Sequence, residues 1–233
     1  MLSEMFYKLW DKGLIQLGIW ETLYMTLLSS LIAYAIGLPL GVILCVTDKN
    51  GIRPMPWLNR ILGLSVNFFR SIPFVILLIF LIPLTRAIVG TAIGVKGAIV
   101  PLVFGAVPFF TRQVEAALAN VSPGKIEAAA AMGSGKLGII FRVYLHESVP
   151  DLIRAVTITA ISLIGLTTMA GAVGAGGIGS FAINYGQNLH HQDIVNVCVV
   201  VLLIFVSVLQ GVGNVLARRT TNRALIRRTI DVR

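Results

Sequence analysis

The stretch IVNVCVVVLLIFVSVLQGVGNVL, from Ile194 to Leu216, decides what kind of protein this chain is. Its central part, Val195 to Leu209, contains only Asn196 and Ser207 as strongly polar residues. An α-helix needs about 20 mainly apolar residues to cross the hydrocarbon core of a bilayer, and this stretch is long enough. It therefore predicts a membrane-spanning helix.

Four earlier apolar runs have the same character, and none carries a charge that we place near its middle. They are Thr22–Val46, Ile61–Thr85, Gly97–Leu118 and Leu152–Gly171. Some contain prolines, at positions 39, 73, 101 and 108. We accept these because neighbouring helices can satisfy the backbone groups that proline frees in a membrane bundle. The sequence thus predicts an all-α integral membrane bundle of about five transmembrane helices.

The composition supports a membrane protein. Of the 233 residues, 56% are hydrophobic and only 12% are charged, about half the charged fraction of a typical soluble domain. One small core cannot bury so much apolar surface, so lipid must cover the rest. The net charge of +9 does not indicate nucleic-acid binding, because the basic residues cluster at the ends of the apolar runs and in the tail. Cys45 and Cys198 lie inside apolar runs and are interpreted as small core residues.

The distribution of lysine and arginine predicts the orientation. Five spans place the two termini on opposite sides of the membrane. With the carboxyl terminus inside, the cytoplasmic side holds Arg70 and fourteen other basic residues, and the outside holds only Lys8, Lys12, Arg86 and Lys96. The positive-inside rule therefore favours an outer amino terminus and an inner carboxyl terminus. Residues 3–20 are predicted to form an amphipathic helix on the outer interface, where Trp10, Trp20 and Tyr24 act as anchors.

The longest predicted cytoplasmic segment is the loop of residues 120–150. Ser122 and Pro123 predict a helix start with a hydroxyl cap, and the alanine-rich run that follows favours a helix. Glycines at 133 and 135 interrupt it, and a second short helix is predicted over Lys136–Leu145. Its predicted apolar face contains Leu137, Ile140, Phe141 and Tyr144. From these residues alone, the loop is either an ordinary connector or an element that a soluble partner grips.

The same loop carries a family resemblance. Glu127, Ala128 and Ala129 are followed by Gly133 six positions after the glutamate, and Leu145 keeps the same register. This pattern resembles the EAA loop of binding-protein-dependent ABC importer permeases. In that family the segment ends with isoleucine, any residue, leucine and proline, whereas this chain has Val143 and His146 at the first and last of these positions. The resemblance implies that the loop couples the permease to a cytoplasmic ATPase.

Four further stretches are similar to the MetI-type methionine importer permeases. They are Arg70–Phe74, Ile82–Arg86, Val89–Thr91 and Gly171–Gly177. The resemblance covers about residues 15–217. It implies a non-enzymatic permease subunit of the bacterial plasma (inner) membrane that acts as a homodimer. Its partners would be two copies of an ATPase subunit, which binds the ATP, and an extracytoplasmic substrate-binding lipoprotein. We expect residues 1–217 to form the permease domain and residues 218–233 a basic cytoplasmic tail.

Two glycine motifs that suggest nucleotide binding are rejected. The segment Gly133–Lys136 resembles the end of a phosphate-binding loop, but Ala130 stands where that motif needs its first glycine and Leu137 replaces the magnesium-binding hydroxyl. Gly174, Gly176 and Gly179 have dinucleotide-fingerprint spacing, but they follow a membrane span rather than a strand. We interpret these glycines as closely packed backbone at the outer end of span four.

Span four is the predicted wall of a translocation pathway. Ser162, Thr168 and Met169 are the candidate pathway residues, with Met169 forming a constriction against its twin in a dimer. The alternative for the hydroxyls of this span is hydrogen bonding to their own helix. A polar group of two histidines and Asp193 follows the span, and solvated loop residues explain it better than a metal site.

Three other functions remain open at this point. A permease for another small amino acid would look the same, because the residues that line a pathway carry no readable substrate code. A secondary transporter or channel is disfavoured because such proteins tend to show internal repeats or ionisable residues within their spans. A membrane scaffold would not need a loop of the EAA type.

Overall fold

The structure is a computed structural model that describes residues 4–221, with side chains from Tyr7 onward. All regular elements in this range are helical. In chain order they are α1 (Glu4–Asp11), α2 (Leu14–Thr47), α3 (Pro56–Ser71), α4 (Phe74–Phe80), α5 (Ile82–Val89), α6 (Gly94–Ala119), α7 (Pro123–Ala131), α8 (Lys136–Ile139), a π-helical turn (Ile140–Tyr144), α9 (Leu145–Glu147), α10 (Val149–Ala172), α11 (Gly177–Phe181), a second π-helical segment (Ala182–Gln187) and α12 (Gln192–Thr220).

Four helices, α2, α6, α10 and α12, are long and apolar enough to cross a membrane. The helices α3 and α4 make a fifth crossing if they count as one span, and they meet at 101°. Four of the predicted spans lie within the four long helices, so the all-α bundle with about five spans is confirmed. The orientation of the termini stays a prediction.

The prediction that the second span is one continuous helix is wrong. Residues 61–85 fall on three helices, α3, α4 and α5. Pro73 causes the main break, because proline lacks a backbone N–H and forces the preceding residue away from helical geometry. Ile72 accordingly has φ −82° and ψ 122°, which is extended. Prolines 39, 101 and 108 lie inside α2 and α6 as expected.

Both ends of the chain also differ from the prediction. The amphipathic helix expected over residues 3–20 is α1 alone, because the chain turns at Gly13, whose φ of 69° cannot continue a helix. From Leu14 onward the residues belong to α2. At the other end, α12 continues to Thr220, so Arg218 and Arg219 extend the last helix. The predicted tail beyond residue 221 lies outside the described residues.

Small residues let the long helices approach each other closely. A Cβ added at Gly41 of α2 would lie 2.6 Å from Cβ of Val114 in α6. The Tyr34 hydroxyl of α2 donates to the carbonyl oxygen of Val156 in α10 at 2.8 Å. Helix α12 lies at the margin, with only 11% of its most apolar window buried. Its free face is therefore left to lipid or to another protein.

Candidate functional site

The helices α7, α8 and α9, together with the π-helical turn before α9, form the loop that the sequence singled out, and we call them the docking loop (residues 123–147). The predicted helix start is confirmed, since α7 begins at Pro123. The predicted hydroxyl cap is wrong, because the Ser122 side chain makes no capping hydrogen bond. The backbone N–H of Lys125 instead donates to the carbonyl oxygen of Ser122 at 3.1 Å. A fixed proline φ is enough to start this helix.

Buried side chains attach the docking loop to the ends of the spans. Ala129, Ile139 and Tyr144 are buried in one cluster with residues of α2 and α6, and Leu145 packs against that cluster. Burial raises the pKa of Tyr144, so its phenol stays neutral in the physiological range. The Lys125 ammonium also pairs with the Glu147 carboxylate, which joins the first helix of the loop to its last. The docking loop is therefore anchored to the bundle and not free to swing.

The apolar face predicted for the second loop helix is divided between core and solvent. Tyr144 is buried, whereas Leu137 and Phe141 are 70% and 65% exposed. The π-helical turn explains this division, because its wider spacing rotates Tyr144 away from the line that an α-helix would keep. Met132 is 79% exposed at the same tip. We call Met132, Leu137 and Phe141 the apolar tip. Exposed apolar side chains grouped in this way mark an interaction surface.

The predicted loop residues take two different positions. Ala129 and Leu145 face the core, whereas Glu127, Ala128 and Gly133 are exposed. Glu127 lines a cavity of about 630 Å³ together with Asp48, which follows α2, and Glu115 of α6. These three carboxylates come from three separate elements, and the Glu115 carboxylate is already paired with Arg112 at 2.6 Å. Sequence reasoning missed Asp48 and Glu115, because no spacing along the chain connects them to Glu127.

The candidate pathway residues of α10 do not share one site. Thr168 donates a hydrogen bond to the carbonyl oxygen of Ile164 at 3.0 Å, and Thr157, Thr159 and Thr167 likewise bond to carbonyl oxygens of α10. These threonine hydroxyls therefore bond to their own helix, which is the alternative that the sequence left open for them. Met169 is 51% exposed near the end of α10. Of the three candidates, Ser162 lines a cavity between α3, α4, α6 and α10, and the roles of all three stay predictions.

That cavity corrects the sequence interpretation of Arg70. The sequence placed Arg70 at a cytoplasmic end and no charge near the middle of any span. In the structure Arg70 lies at the end of α3, directly before the break, and lines a cavity of about 420 Å³. Gly105 and Ser162, from the middle of α6 and α10, form other parts of its wall. The sequence interpretation misplaced Arg70 because it assumed that the second span is straight.

The glycine-rich segment after α10 is closely packed, as predicted. We call residues Gly174–Gly177 the glycine corner. The backbone N–H of Gly177 donates to a Glu21 carboxylate oxygen at 2.6 Å, and the N–H of Ile178 donates to the Thr22 hydroxyl at 2.9 Å. Two side chains of α2 thereby satisfy the free N–H groups at the start of α11. The corner lies at the end of the bundle opposite the docking loop.

In the polar group after the glycine corner, His190 and His191 lie in the connection before α12, and Asp193 lies in the first turn of α12. His191 Nδ1 lies 3.9 Å from Asp193 Oδ1, and His190 adopts a positive φ of 56°. Within residues 4–221 no three His, Cys, Asp or Glu side chains are grouped so that they could hold a metal ion.

Comparison with known sequences gives consistent matches. The sequence model of the family described as "Binding-protein-dependent transport system inner membrane component" matches residues 37–223. A Vibrio cholerae protein named probable D-methionine transport system permease protein MetI is 45% identical over 213 residues, which are 91% of this chain and 95% of that protein. The D-methionine transport system permease protein MetI of Escherichia coli K12 is 50% identical over 154 residues, 66% of this chain and 71% of that protein.

Comparison with solved structures agrees. A structure described as an inward-facing conformation of the MetNI methionine ABC transporter matches with a TM-score of 0.89 and 45% identity. The match covers 95% of this chain and all of that chain. A crystal structure of an amino acid ABC transporter with histidines matches with a TM-score of 0.77 at 15% identity, covering 94% of this chain and all of that chain, which shows a shared fold.

Proposed function

This chain belongs to the family of binding-protein-dependent transport system inner membrane components, and from that membership we propose that it is the permease subunit of an ATP-driven importer for methionine. It is a multi-pass protein of the bacterial inner membrane and a transport component rather than an enzyme. The observation that carries the proposal is the docking loop, which is anchored to the spans on one side and carries an exposed apolar tip on the other.

The geometry of the docking loop suits the transmission of force. A partner that binds Met132, Leu137 and Phe141 moves α7 and α8, and these helices are packed through Ala129 and Ile139 onto the ends of α2 and α6. Displacement of the loop therefore tilts the spans as rigid bodies. We propose that an ATPase subunit grips this tip and that a second copy of this chain forms the other half of the pathway. ATP is bound by the ATPase and not by this chain.

Glu127 supplies the polar part of the proposed contact. It is exposed on α7 and shares its cavity with Asp48 and Glu115. A lysine or arginine of the ATPase that enters this cavity gains charge-assisted hydrogen bonds, the stronger class of hydrogen bond. Ala128 and Gly133 have little or no side chain, so they allow the partner's backbone to come close.

The proposed substrate is D- or L-methionine, delivered by an extracytoplasmic binding lipoprotein. The support is the 40–51% identity with proteins named as D-methionine permeases and the match to a methionine ABC transporter. Another small amino acid is the second candidate, because a relative with the same fold is described as an amino acid transporter.

The test is co-expression with a candidate ATPase and binding protein, followed by measurement of ATP hydrolysis and labelled-methionine uptake in proteoliposomes. Uptake must require both the ATPase and ATP. Glu127→Lys is expected to abolish ATP-dependent uptake, because it places a cation where a partner's cation is expected. Glu127→Gln keeps the shape without the charge and is expected to retain part of the activity.

The matched control is Asp11→Lys, a charge reversal on exposed α1 at the far end of α2. This variant is expected to transport like the wild type. Methionine uptake without any ATPase would contradict the importer. If uptake depends on ATP but excess methionine does not compete with it, the chain is an importer permease and its substrate is not methionine.

A further inference from the structure

Arg70 lies at a depth where a charged side chain is costly. Its cavity is walled by Gly105, about 16 Å from the start of α6 and about 21 Å from its end at 1.5 Å per residue. Ser162, which also lines the cavity, lies about 20 Å from the start of α10 and about 15 Å from its end. These are the middle levels of two membrane spans. An ionisable group at such a depth normally serves a pathway or pairs with a specific partner.

Arg112 shows how this protein accommodates an arginine that has a structural role. Its guanidinium pairs with Glu115 at 2.6 Å and donates to the carbonyl oxygen of Gly63 at 3.1 Å and to Asn67 Oδ1 at 3.0 Å. It therefore ties α6 to α3. The Arg70 guanidinium, by contrast, has no hydrogen bond or ion pair with any residue in the described part of the chain, and Arg70 is exposed and lines the cavity.

The walls of this cavity carry both polar and apolar groups. Arg70, Ser162 and Thr159 provide the polar groups, and Phe74, Phe109 and Leu166 provide apolar surface. The Thr159 hydroxyl is already bonded to its own helix, which leaves Ser162 as the hydroxyl available to a ligand. Among the described residues, no carboxylate lines the cavity. Its volume of about 420 Å³ lies within the range of roughly 300–1,000 Å³ for small-molecule sites.

We propose that this cavity is a transit site for the amino-acid substrate inside the permease, with Arg70 as the group that binds the α-carboxylate. The planar guanidinium forms two parallel hydrogen bonds with a carboxylate. Ser162 adds a polar contact, and the aromatic and leucine side chains receive an apolar substrate side chain. The break at Pro73 lets Arg70 point into the cavity, because irregular backbone at membrane depth is tolerated where it lines a cavity.

This inference rests on the proposed function, and substitution of Arg70 tests it. In the complete transporter, Arg70→Gln is expected to lower maximal methionine uptake at least about tenfold, which corresponds to loss of one charged hydrogen bond. ATP hydrolysis stimulated by the binding protein is expected to stay within about twofold of wild type, because the docking loop is untouched. Arg70→Lys should restore part of the uptake.

The matched control is Arg86→Gln, the same change at an exposed arginine of α5 that does not line the cavity. It is expected to transport like the wild type. Uptake by Arg70→Gln that equals the wild type would overturn the site.

A second experiment does not depend on the assembly of the Arg70 variant. Ser162→Cys is introduced where Cys45 and Cys198 are replaced by alanine, and the new thiol is modified by a small sulfhydryl reagent in the purified complex. Methionine is expected to slow the modification, whereas methioninamide, which lacks the carboxylate, leaves the rate unchanged. In a complex that takes up methionine, equal rates with and without methionine would overturn the transit site.

The two ideas fail in different ways. If the wild-type complex takes up methionine but Ser162→Cys is not protected and Arg70→Gln transports normally, the transit site is wrong and the importer stands. If the wild-type complex takes up no methionine while another amino acid is taken up and protects Ser162→Cys, the transit site stands and the proposed substrate is wrong.

Discussion

Two glycine-containing turns of the molecule have similar φ angles and opposite surroundings. Gly133, in the docking loop, has a φ of 81°, and Gly177, in the glycine corner, has a φ of 77°. A Cβ added at Gly133 meets no atom within 4 Å, whereas one added at Gly177 would lie 2.7 Å from the Thr22 hydroxyl and 3.0 Å from Met25 Cε. Both turns need glycine for its φ, but only the corner also needs it for space.

This difference separates a contact made within the chain from a surface left open. At the glycine corner, Glu21 and Thr22 of α2 already bind the start of α11. At the docking loop, the space around Gly133 is open and the nearby apolar tip is exposed. Packing within the chain explains the corner. The open turn with apolar neighbours suits the proposed ATPase partner.

The largest effect is expected from alanine at the two glycines. Gly133→Ala incurs only the strain of a positive φ, about 1–2 kcal/mol. Gly177→Ala incurs the same strain plus about 1–3 kcal/mol for overpacking against Thr22. The melting temperatures of the two purified variants in detergent measure the difference. Gly211→Ala, at an open and exposed position of α12, is the control and should melt at or above the wild-type temperature. Equal losses of melting temperature in Gly133→Ala and Gly177→Ala would contradict the difference between the two turns.

A smaller effect is expected when a side chain that holds the corner is shortened. Glu21→Ala leaves the N–H of Gly177 without its carboxylate acceptor, which costs about 1–3 kcal/mol. Glu21→Gln keeps an acceptor oxygen and should lose less than half as much. Thermal unfolding of both variants provides the measurement. If Glu21→Ala and Glu21→Gln have the same melting temperature, the carboxylate does not stabilise the glycine corner.

The smallest effect on stability is expected from Gly133→Asn, because asparagine accepts a positive φ more readily than other side chains. The variant should melt close to the wild type and retain ATP-dependent uptake. Gly133→Phe should lose no more stability than Gly133→Ala, since its ring enters open space, yet uptake should fall sharply because the ring obstructs the proposed docking surface. Stability losses by Gly133→Phe as large as those of Gly177→Ala would show that the docking loop is not open.

The sequence predicted the positions of four spans well. Lipid offers no hydrogen-bond partners, so an apolar run of sufficient length must be a helix whatever surrounds it. The prediction of the second span failed at Pro73. Whether a proline breaks a helix or is tolerated within it depends on its neighbours in the bundle, and of the four prolines only Pro73 ended a helix. The docking loop was predicted through its motif, whereas the π-helical turn that exposes Phe141 left no signal in the residue pattern.

Local chemistry thus determined the membrane bundle and its loop of short helices, because each depends on residues close together along the chain. Only the tertiary structure decided that Arg70 and Ser162 line one cavity, that Glu127 shares its surroundings with Asp48 and Glu115, and that Glu21 holds the start of α11. These contacts join residues from separate helices. They depend on how the helices bend and cross, which the periodicity of a single helix does not encode.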